Sequence, residues 1–205
     1  GSSHLKANVE IDFVIAITRE AASFPLRMSG EMIPSMVPGK ENRIYRKPLG
    51  IVGVIGPFNF PMYLAMRSVA PALATGNGVV LKPDEQTAIT GGILLAKVFE
   101  EAGIPKGLLN VVIPSIKEIG DAFVDNPIPR LISFTGSTPV GRHIGEICGK
   151  NIKKVALELG GNNALIVLGD ADVEKAVNSA LFGKFMHNGQ ICMAINRIIV
   201  HKDKY

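Results

Sequence analysis

Hydrophobic positions along this chain follow one period before residue 50 and another after it. Within residues 3–23, apolar side chains recur at four-residue steps: Leu5, Val9, Phe13, Ile17 and Ala21. This spacing predicts an amphipathic helix that ends before Pro25. Residues 26–47 are mixed, with strand-like pieces at EMIPSM and NRIYRKP, and they contain no run typical of a core.

From Gly50 onward, short runs of Val, Ile and Leu alternate with helical stretches. The predicted strands are GIVGVIGP, GVVLKP, LLNVVI, LISFTGS and KKVALELGG. The predicted helices between them are residues 62–76, 87–103, 116–126 and 139–150. Apolar strands joined by helices predict a parallel sheet covered on both faces, which binds ligands at the carboxyl ends of its strands. A further strand at NALIVLG, a helix over 170–189 and a strand at NRIIVHK follow, and that helix leads to Cys192.

Composition and charge exclude several classes of protein. Of the 205 residues, 47% are hydrophobic and 20% are charged, as in a globular protein with a sizeable core. The net charge of +4 is spread without a basic stripe, and aromatic residues are few, so we expect no nucleic-acid partner. The uncharged run Leu49–Met66 contains glycines and prolines that no membrane-spanning helix carries at this density.

The two cysteines, Cys148 and Cys192, are too few for a disulfide framework, and the four histidines are dispersed. We therefore expect no metal site, and two free thiols favour the cytoplasm. Cys192 stands in GQICMAINR, where it is either a nucleophile or a small apolar residue filling a core.

The segment SFTGSTPVGRHIG combines a strand end, a glycine turn and a helix start. Gly136 and Gly141 have the spacing of a P-loop, but Arg142 and His143 replace the residues that hold phosphate and Mg²⁺. Backbone N–H groups at such a helix start attract anions, and the plain alternative is a helix capped by Ser137 or Thr138. No GxGxxG occurs anywhere in the chain.

Four further polar residues lie at or just beyond the ends of apolar strands. Lys82, with Glu85 just beyond, can contact ribose hydroxyls or simply belong to a solvated turn. Asn59 in GPFNFP is either an oxyanion donor or a cap of the next helix. Glu158 in LELGG, buried among apolar neighbours, would have a raised pKa suited to a general base; the alternative is an ion pair with Lys153 or Lys154.

Together, PFNFP, LKPDEQT, FTGSTPVG, LELGGN and GQICMAINR resemble, in family order, the motifs of NAD(P)-dependent aldehyde dehydrogenases. The segments PFNFP, IPRLISFTGSTPVGR and GQICMAINR are similar to those of bacterial aromatic aldehyde dehydrogenases of the benzaldehyde, vanillin and salicylaldehyde type. The resemblance implies a Rossmann-like α/β fold, a parallel sheet with helices on both faces, and the start of a second α/β catalytic domain. Because that fold needs roughly twice this length, we expect an internal fragment with an incomplete fold.

The resemblance also implies roles for individual residues. Cys192 matches the nucleophile, Asn59 the oxyanion-binding amide, with the Cys192 N–H as second donor, and Glu158 the general base. The positions matching cofactor contacts are Ile55, Gly56, Pro57, Phe58, Lys82, Glu85, Phe134, Gly136, Ser137, Val140, Gly141, Leu159 and Gly160. The implied cofactor is NAD, since a Glu85 carboxylate would repel a 2′-phosphate, while Lys82 leaves NADP possible.

The resemblance divides the chain into an oligomerisation region (1–47), a cofactor domain (48–158) and the start of a catalytic domain (159–205). It implies a small aldehyde as substrate and a homodimeric or homotetrameric parent. Phe58, Phe60 and Phe185 are either pocket residues for an aromatic aldehyde or core residues. Two alternatives stay open: a nucleotide-binding fragment without turnover, and a relative that transfers the acyl group to CoA or phosphate, against which Glu158 argues.

Overall fold

The computed structural model describes residues 2–205, which form seven α-helices and nine strands. The helices are α1 (His4–Ala22), α2 (Pro61–Ala74), α3 (Leu94–Glu101), α4 (Ile116–Ile119), α5 (Ala122–Asp125), α6 (Thr138–Lys150) and α7 (Val173–Phe185). The strands are β1 (Glu31–Pro34), β2 (Glu41–Ile44), β3 (Ile51–Ile55), β4 (Gly78–Lys82), β5 (Leu109–Val111), β6 (Pro129–Thr135), β7 (Lys154–Glu158), β8 (Asn163–Val167) and β9 (Ile195–Val200).

The main sheet has five parallel strands in the order β5-β4-β3-β6-β7, which confirms the predicted α/β class. The first strand of this sheet in sequence, β3, lies at its centre. Strands β4 and β5 lie on one side of β3, and β6 and β7 lie on the other. This reversal creates a crevice beyond the carboxyl ends of β3 and β6, the usual ligand site of such sheets. In register, Ile55 lies opposite both Lys82 and Phe134.

Two hydrophobic clusters hold the sheet and its helices together. The larger one packs α2 against β3 and β4, with Val54, Val69, Val79 and Leu81 almost fully buried. The smaller one lies under α6 and includes Ile132, Phe134, Ile144 and Cys148. Strands β3, β4 and β6 are therefore packed as near-continuous apolar strands of a parallel sheet should be.

Strand β7 departs from the predicted sheet covered on both faces. All five of its residues are exposed, although KVALE is largely apolar. It is an edge strand, and the contacts made at its face come from α6, where Gly145 approaches Leu157. The prediction of full coverage is thus correct for the central strands and wrong for β7.

The single helix predicted over 116–126 is two short helices, α4 and α5. A capping box between Ser115 and Glu118 starts α4. Gly120 then adopts a φ of 47°, a left-handed conformation that ends the helix and that glycine tolerates best. The apolar periodicity across 116–126 does not reveal this break.

Two small sheets lie outside the main one. Strands β1 and β2 form an antiparallel pair, and β8 and β9 form a parallel pair against which α7 packs. Across residues 2–205, none of the helices combines the length and the apolar character needed to cross a membrane.

Candidate active site

Asn59 lies in the turn between β3 and α2 and is bound to a segment 131 residues further along the chain. Its Nδ2 donates to the carbonyl oxygen of Gln190 at 2.9 Å, and its Oδ1 accepts from the N–H of Phe60 at 3.0 Å. The alternative role of Asn59 as cap of α2 is wrong, because Phe60 is the N-cap and Glu10 of α1 accepts from the first amides of α2. The Asn59 side chain instead joins the turn after β3 to residues 190–194 around Cys192, the cysteine segment.

Cys192 is exposed, whereas Cys148 is fully buried in the smaller core cluster. The interpretation of a small apolar residue filling a core is therefore wrong for Cys192 and applies to Cys148, where burial raises the pKa of the thiol. The turn before Cys192 has left-handed backbone at His187 and Asn188, with φ of 50° and 57°. Such backbone is uncommon outside glycine and often occurs at functional sites.

The carbonyl of Cys192 is held by Asn163 at the start of β8 and is closely approached by Gly161 just before it. Asn163 Nδ2 donates to the Cys192 oxygen at 2.6 Å and more distantly to the Ala194 oxygen at 3.4 Å. Gly161 lies so close that a Cβ there would overlap the Cys192 oxygen. Two residues of the LELGGNN segment thus fix the main chain of the cysteine.

Glu158 ends β7 and is exposed, so its expected burial among apolar neighbours is wrong. The expected pairing with Lys153 or Lys154 is wrong as well: Glu158 Oε1 lies 3.7 Å from Nη2 of Arg67, and Lys153 Nζ donates to the Val124 carbonyl. Arg67 is absent from the predicted site residues. It is the only charged residue in α2, and that isolation was the available signal.

The three predicted catalytic residues thus lie on connected segments. Asn59 follows β3, Glu158 ends β7, and the Cys192 segment contacts both the Asn59 turn and the connection after β7. Helix α2 also links them, because Asn59 precedes its first turn and Arg67 reaches Glu158.

The predicted cofactor positions follow the carboxyl ends of β3, β4, β6 and β7. Gly56 N–H donates to the Lys82 carbonyl, and Gly136 N–H donates to the Glu158 carbonyl, each at 3.0 Å. These bonds join the run Ile55–Phe58 to Lys82, and the run Phe134–Gly141 to the end of β7. Gly141 packs directly on Leu159, since a Cβ there would overlap that side chain, and Gly160 faces Thr138.

Three groups at this edge fit an anionic, hydroxyl-rich ligand. Lys82 is buried, and its Nζ donates to the Pro83 carbonyl at 3.3 Å; among the described residues, no carboxylate pairs with it. Ser137 is the N-cap of α6 but makes no side-chain cap, contrary to the predicted Ser137 or Thr138 cap. The N–H groups of Thr138 and Val140 in the first turn of α6 are thus available to an anion, while Pro139 between them has none. Glu85 Oε1 accepts from the N–H of Ile116 at 2.6 Å, which leaves its second oxygen for a ligand.

A groove of about 440 Å³ lies beside the Asn59 turn. Its lining includes Lys6, Glu10, Phe58, Asn59, His187 and Gln190. Burial, reinforced by the positive charge of Lys6, lowers the pKa of His187. Phe58 lines this groove, but Phe60 is buried and Phe185 lines a separate groove with Leu181, so the predicted three-phenylalanine pocket is wrong.

Comparisons with protein families and with known proteins agree on one family. The model of the aldehyde dehydrogenase family matches residues 1–205. Benzaldehyde dehydrogenase YfmT of Bacillus subtilis is 62% identical over 205 residues, which are all of this chain and 42% of that protein. Vanillin dehydrogenase of Corynebacterium glutamicum is 56% identical over 98% of this chain, again 42% of its own length. The chain therefore spans less than half the length of these curated relatives.

Solved structures agree with the sequence comparison. The crystal structure of an NAD-dependent benzaldehyde dehydrogenase from Corynebacterium glutamicum superposes with a TM-score of 0.92 at 55% identity, over 99% of this chain and 45% of that one. A second, of a Bacillus subtilis protein described as a putative aldehyde dehydrogenase, gives a TM-score of 0.92 at 58% identity over 99% of this chain and 44% of that one. The fold of residues 2–205 thus matches that of solved aldehyde dehydrogenases, and the chain belongs to the aldehyde dehydrogenase family.

Proposed function

We propose that the protein containing this chain oxidises an aromatic aldehyde to the carboxylic acid, with NAD as hydride acceptor. The observation that carries the proposal is the bond from Asn59 Nδ2 to the Gln190 carbonyl, two residues before Cys192. It holds a side-chain amide against the segment of an exposed thiol. Two similar dehydrogenases are named for benzaldehyde and vanillin, which supports an aromatic aldehyde as the substrate.

The first step proposed is attack by the Cys192 thiolate on the aldehyde carbon. A C–S bond forms, and the carbonyl electron pair moves to the oxygen. That oxyanion accepts hydrogen bonds from Asn59 Nδ2 and from the Cys192 N–H. An amide nitrogen carries two hydrogens, so the bond to Gln190 leaves one of them for the oxyanion.

The second step expels hydride from the tetrahedral carbon as its C=O bond re-forms, which leaves a thioester on Cys192. Bound NAD supplies the two-electron acceptor for this hydride. Glu158 then takes a proton from water, the hydroxide adds to the thioester carbon, and the C–S bond breaks. Arg67 Nη2, 3.7 Å from Glu158 Oε1, is the charged group that orients this side chain.

The residues proposed to hold NAD are those at the crevice between β3 and β6. Pyrophosphate fits the uncapped first turn of α6, at Ser137 and Val140. Ribose hydroxyls fit Lys82 and the free oxygen of Glu85. A Glu85 carboxylate at a 2′-phosphate would be repulsive, so we propose NAD over NADP, although the Lys82 charge keeps NADP binding possible.

A second candidate applies to this chain by itself: nucleotide binding without turnover. Several apolar side chains of α7 are exposed, including Val177, Leu181, Phe182 and Phe185. A patch of this kind is typical of a surface that packs against further protein. Turnover is therefore proposed for the longer protein, and binding for the residues described.

Mass spectrometry of acid-quenched protein tests the proposal. After mixing with NAD and benzaldehyde, we expect a benzoyl adduct on the Cys192 peptide that is absent without NAD and absent in Cys192→Ala. Cys148, buried in the same chain, is the internal control and should stay unmodified. Glu158→Gln should increase the adduct, because the thioester would form but hydrolyse slowly.

The same experiment separates the candidates. An adduct on the chain extended to the length of its relatives, but not on residues 1–205 alone, would restrict turnover to the longer protein. NAD binding by residues 1–205, measured by calorimetry, would then support the second candidate. Release of the adduct by CoA or phosphate in place of water would support acyl transfer. No adduct from any aromatic or aliphatic aldehyde in the extended chain would contradict the dehydrogenase proposal.

A further inference from the structure

Lys6 and Glu10 form a buried ion pair near the start of α1, and no step of the proposed reaction uses them. Lys6 Nζ lies 2.5 Å from Glu10 Oε2, and the two side chains are only 5% and 8% exposed. Burying two charges is expensive unless both are fully hydrogen-bonded. The contacts of the pair therefore indicate why it is there.

Glu10 caps a helix other than its own. Its Oε1 accepts from the N–H of Met62 at 2.8 Å and from the N–H of Tyr63 at 3.1 Å, in the first turn of α2. The N-cap residue of α2, Phe60, has no side chain that can accept these bonds. The Asn59 side chain is engaged with Gln190 and the Phe60 N–H, so the cap has to come from elsewhere.

Lys6 extends the same contacts to the residue beside Asn59. Its ammonium lies 4.2 Å from the centre of the Phe60 ring, a cation–π distance. The Phe60 ring in turn lies 5.9 Å from the ring of His187, in the turn before Cys192. Phe60 is thus held on both sides, and its N–H donates to Asn59 Oδ1.

We propose that the Lys6–Glu10 pair is a positioning device for Asn59. Glu10 fixes the first turn of α2 and Lys6 fixes Phe60, so the Asn59 amide is aimed at the cysteine segment before substrate arrives. Glu10 is a positioning residue, since it acts through Asn59 and touches no reacting atom. The inference rests on the proposed function of Asn59 as oxyanion donor.

A double-mutant cycle in the full-length protein tests this coupling. Glu10→Ala should lower kcat for benzaldehyde by about ten- to a hundredfold, because small misplacements of a catalytic group are costly. The KM for NAD should change less than about twofold. In the Asn59→Ala background, adding Glu10→Ala should lower kcat by less than about threefold, because Glu10 acts through the Asn59 amide that this background lacks.

Val14→Ala is the matched control. Val14 lies on the same helix and packs against the larger core cluster, so its truncation lowers Tm without touching the α2 amides. It should leave kcat within about twofold and combine additively with Asn59→Ala. Glu10→Gln keeps an acceptor but loses the ion pair, and it should fold and fall between wild type and Glu10→Ala.

Two outcomes overturn the inference: a full Glu10→Ala effect in the Asn59→Ala background, or a loss of Tm with kcat unchanged. An inactive wild type would contradict the proposed function separately. If the alanine variant does not fold, the kcat of Glu10→Gln decides, and a value equal to wild type overturns the inference. Crystal structures of wild type and of Glu10→Ala decide the positioning itself. An Asn59 Nδ2 still bonded to the Gln190 carbonyl in the variant overturns it, and a broken bond supports it.

Discussion

Replacing Gly161 by alanine perturbs the cysteine segment by a single methyl group. A Cβ at this position would overlap the carbonyl oxygen of Cys192 and come within 3.1 Å of Asn163 Nδ2. The backbone of Gly161 does not require glycine, because its φ is not in the left-handed region. The whole effect of the substitution is therefore steric.

The size of the effect follows from that overlap. Ordinary contact between carbon and oxygen needs a separation of about 3.4 Å, so the Cys192 carbonyl has to move by about 1 Å. Overpacking of this kind costs about 1–3 kcal/mol of stability. A shift of about 1 Å at a nucleophile lowers turnover by about a hundredfold, equivalent to about 2.7 kcal/mol of activation free energy.

Steady-state turnover of the full-length protein with benzaldehyde and NAD measures the loss, and iodoacetamide labelling of Cys192 measures the displacement separately. Gly149→Ala is the matched control: a Cβ there meets no other atom within 4 Å, and an exposed helix favours alanine. It should preserve both rates and raise Tm slightly. A Gly161→Ala variant with wild-type turnover and labelling would refute the reasoning, because the carbonyl would then have room that the structure denies it.

Three further predictions concern single side chains. Asn163→Ala removes the 2.6 Å bond to the Cys192 carbonyl and should lower turnover about three- to tenfold, with Tm nearly unchanged; an equal loss in Asn162→Ala would contradict this. Burial raises the pKa of the Cys148 thiol, so the folded protein favours the neutral thiol, and this stabilisation is lost as pH rises above the ordinary thiol pKa. Cys148→Ala should therefore flatten the fall of Tm above about pH 8.5. Burial lowers the pKa of His187, so the folded protein favours the neutral imidazole, and this stabilisation is lost as pH falls below about 6.5. His187→Asn should therefore flatten the fall of Tm toward about pH 5 in thermal scans; asparagine is chosen because it tolerates the left-handed backbone at this position.

The parts of the fold that sequence alone predicts are those where apolar periodicity is strong and local. The extents of helix α1 and of the central strands follow from such patterns, and the parallel sheet follows from their alternation. The buried face of α1 does not: it contains Lys6, Glu10 and Ala21, while Leu5 and Phe13 of the predicted apolar stripe are exposed. The break between α4 and α5 does not, because it depends on the φ of one glycine. The exposure of β7 is hidden as well, since an apolar run gives the same pattern at the edge of a sheet as in its middle.

The candidate site, like the fold, is only partly predictable from the sequence. The motifs lead to Asn59, Glu158 and Cys192 by residue type and position, yet the contacts between their segments join residues far apart in the chain. The Glu10 cap of α2 spans 52 residues, and nothing near Glu10 marks it as a cap. Arg67 is similar, since its partner lies on a strand that no periodicity connects to α2.

The cysteine segment is held by its main chain, through the carbonyl oxygens of Gln190, Cys192 and Ala194, which accept from the amides of Asn59 and Asn163. None of those bonds uses a side chain of the segment itself. Ile191 and Met193, on either side of Cys192, can therefore be exchanged without disturbing the bonds that hold the segment. A mutant library built at these two positions should keep the thiol where it is, and the two asparagines should be left untouched in any such library.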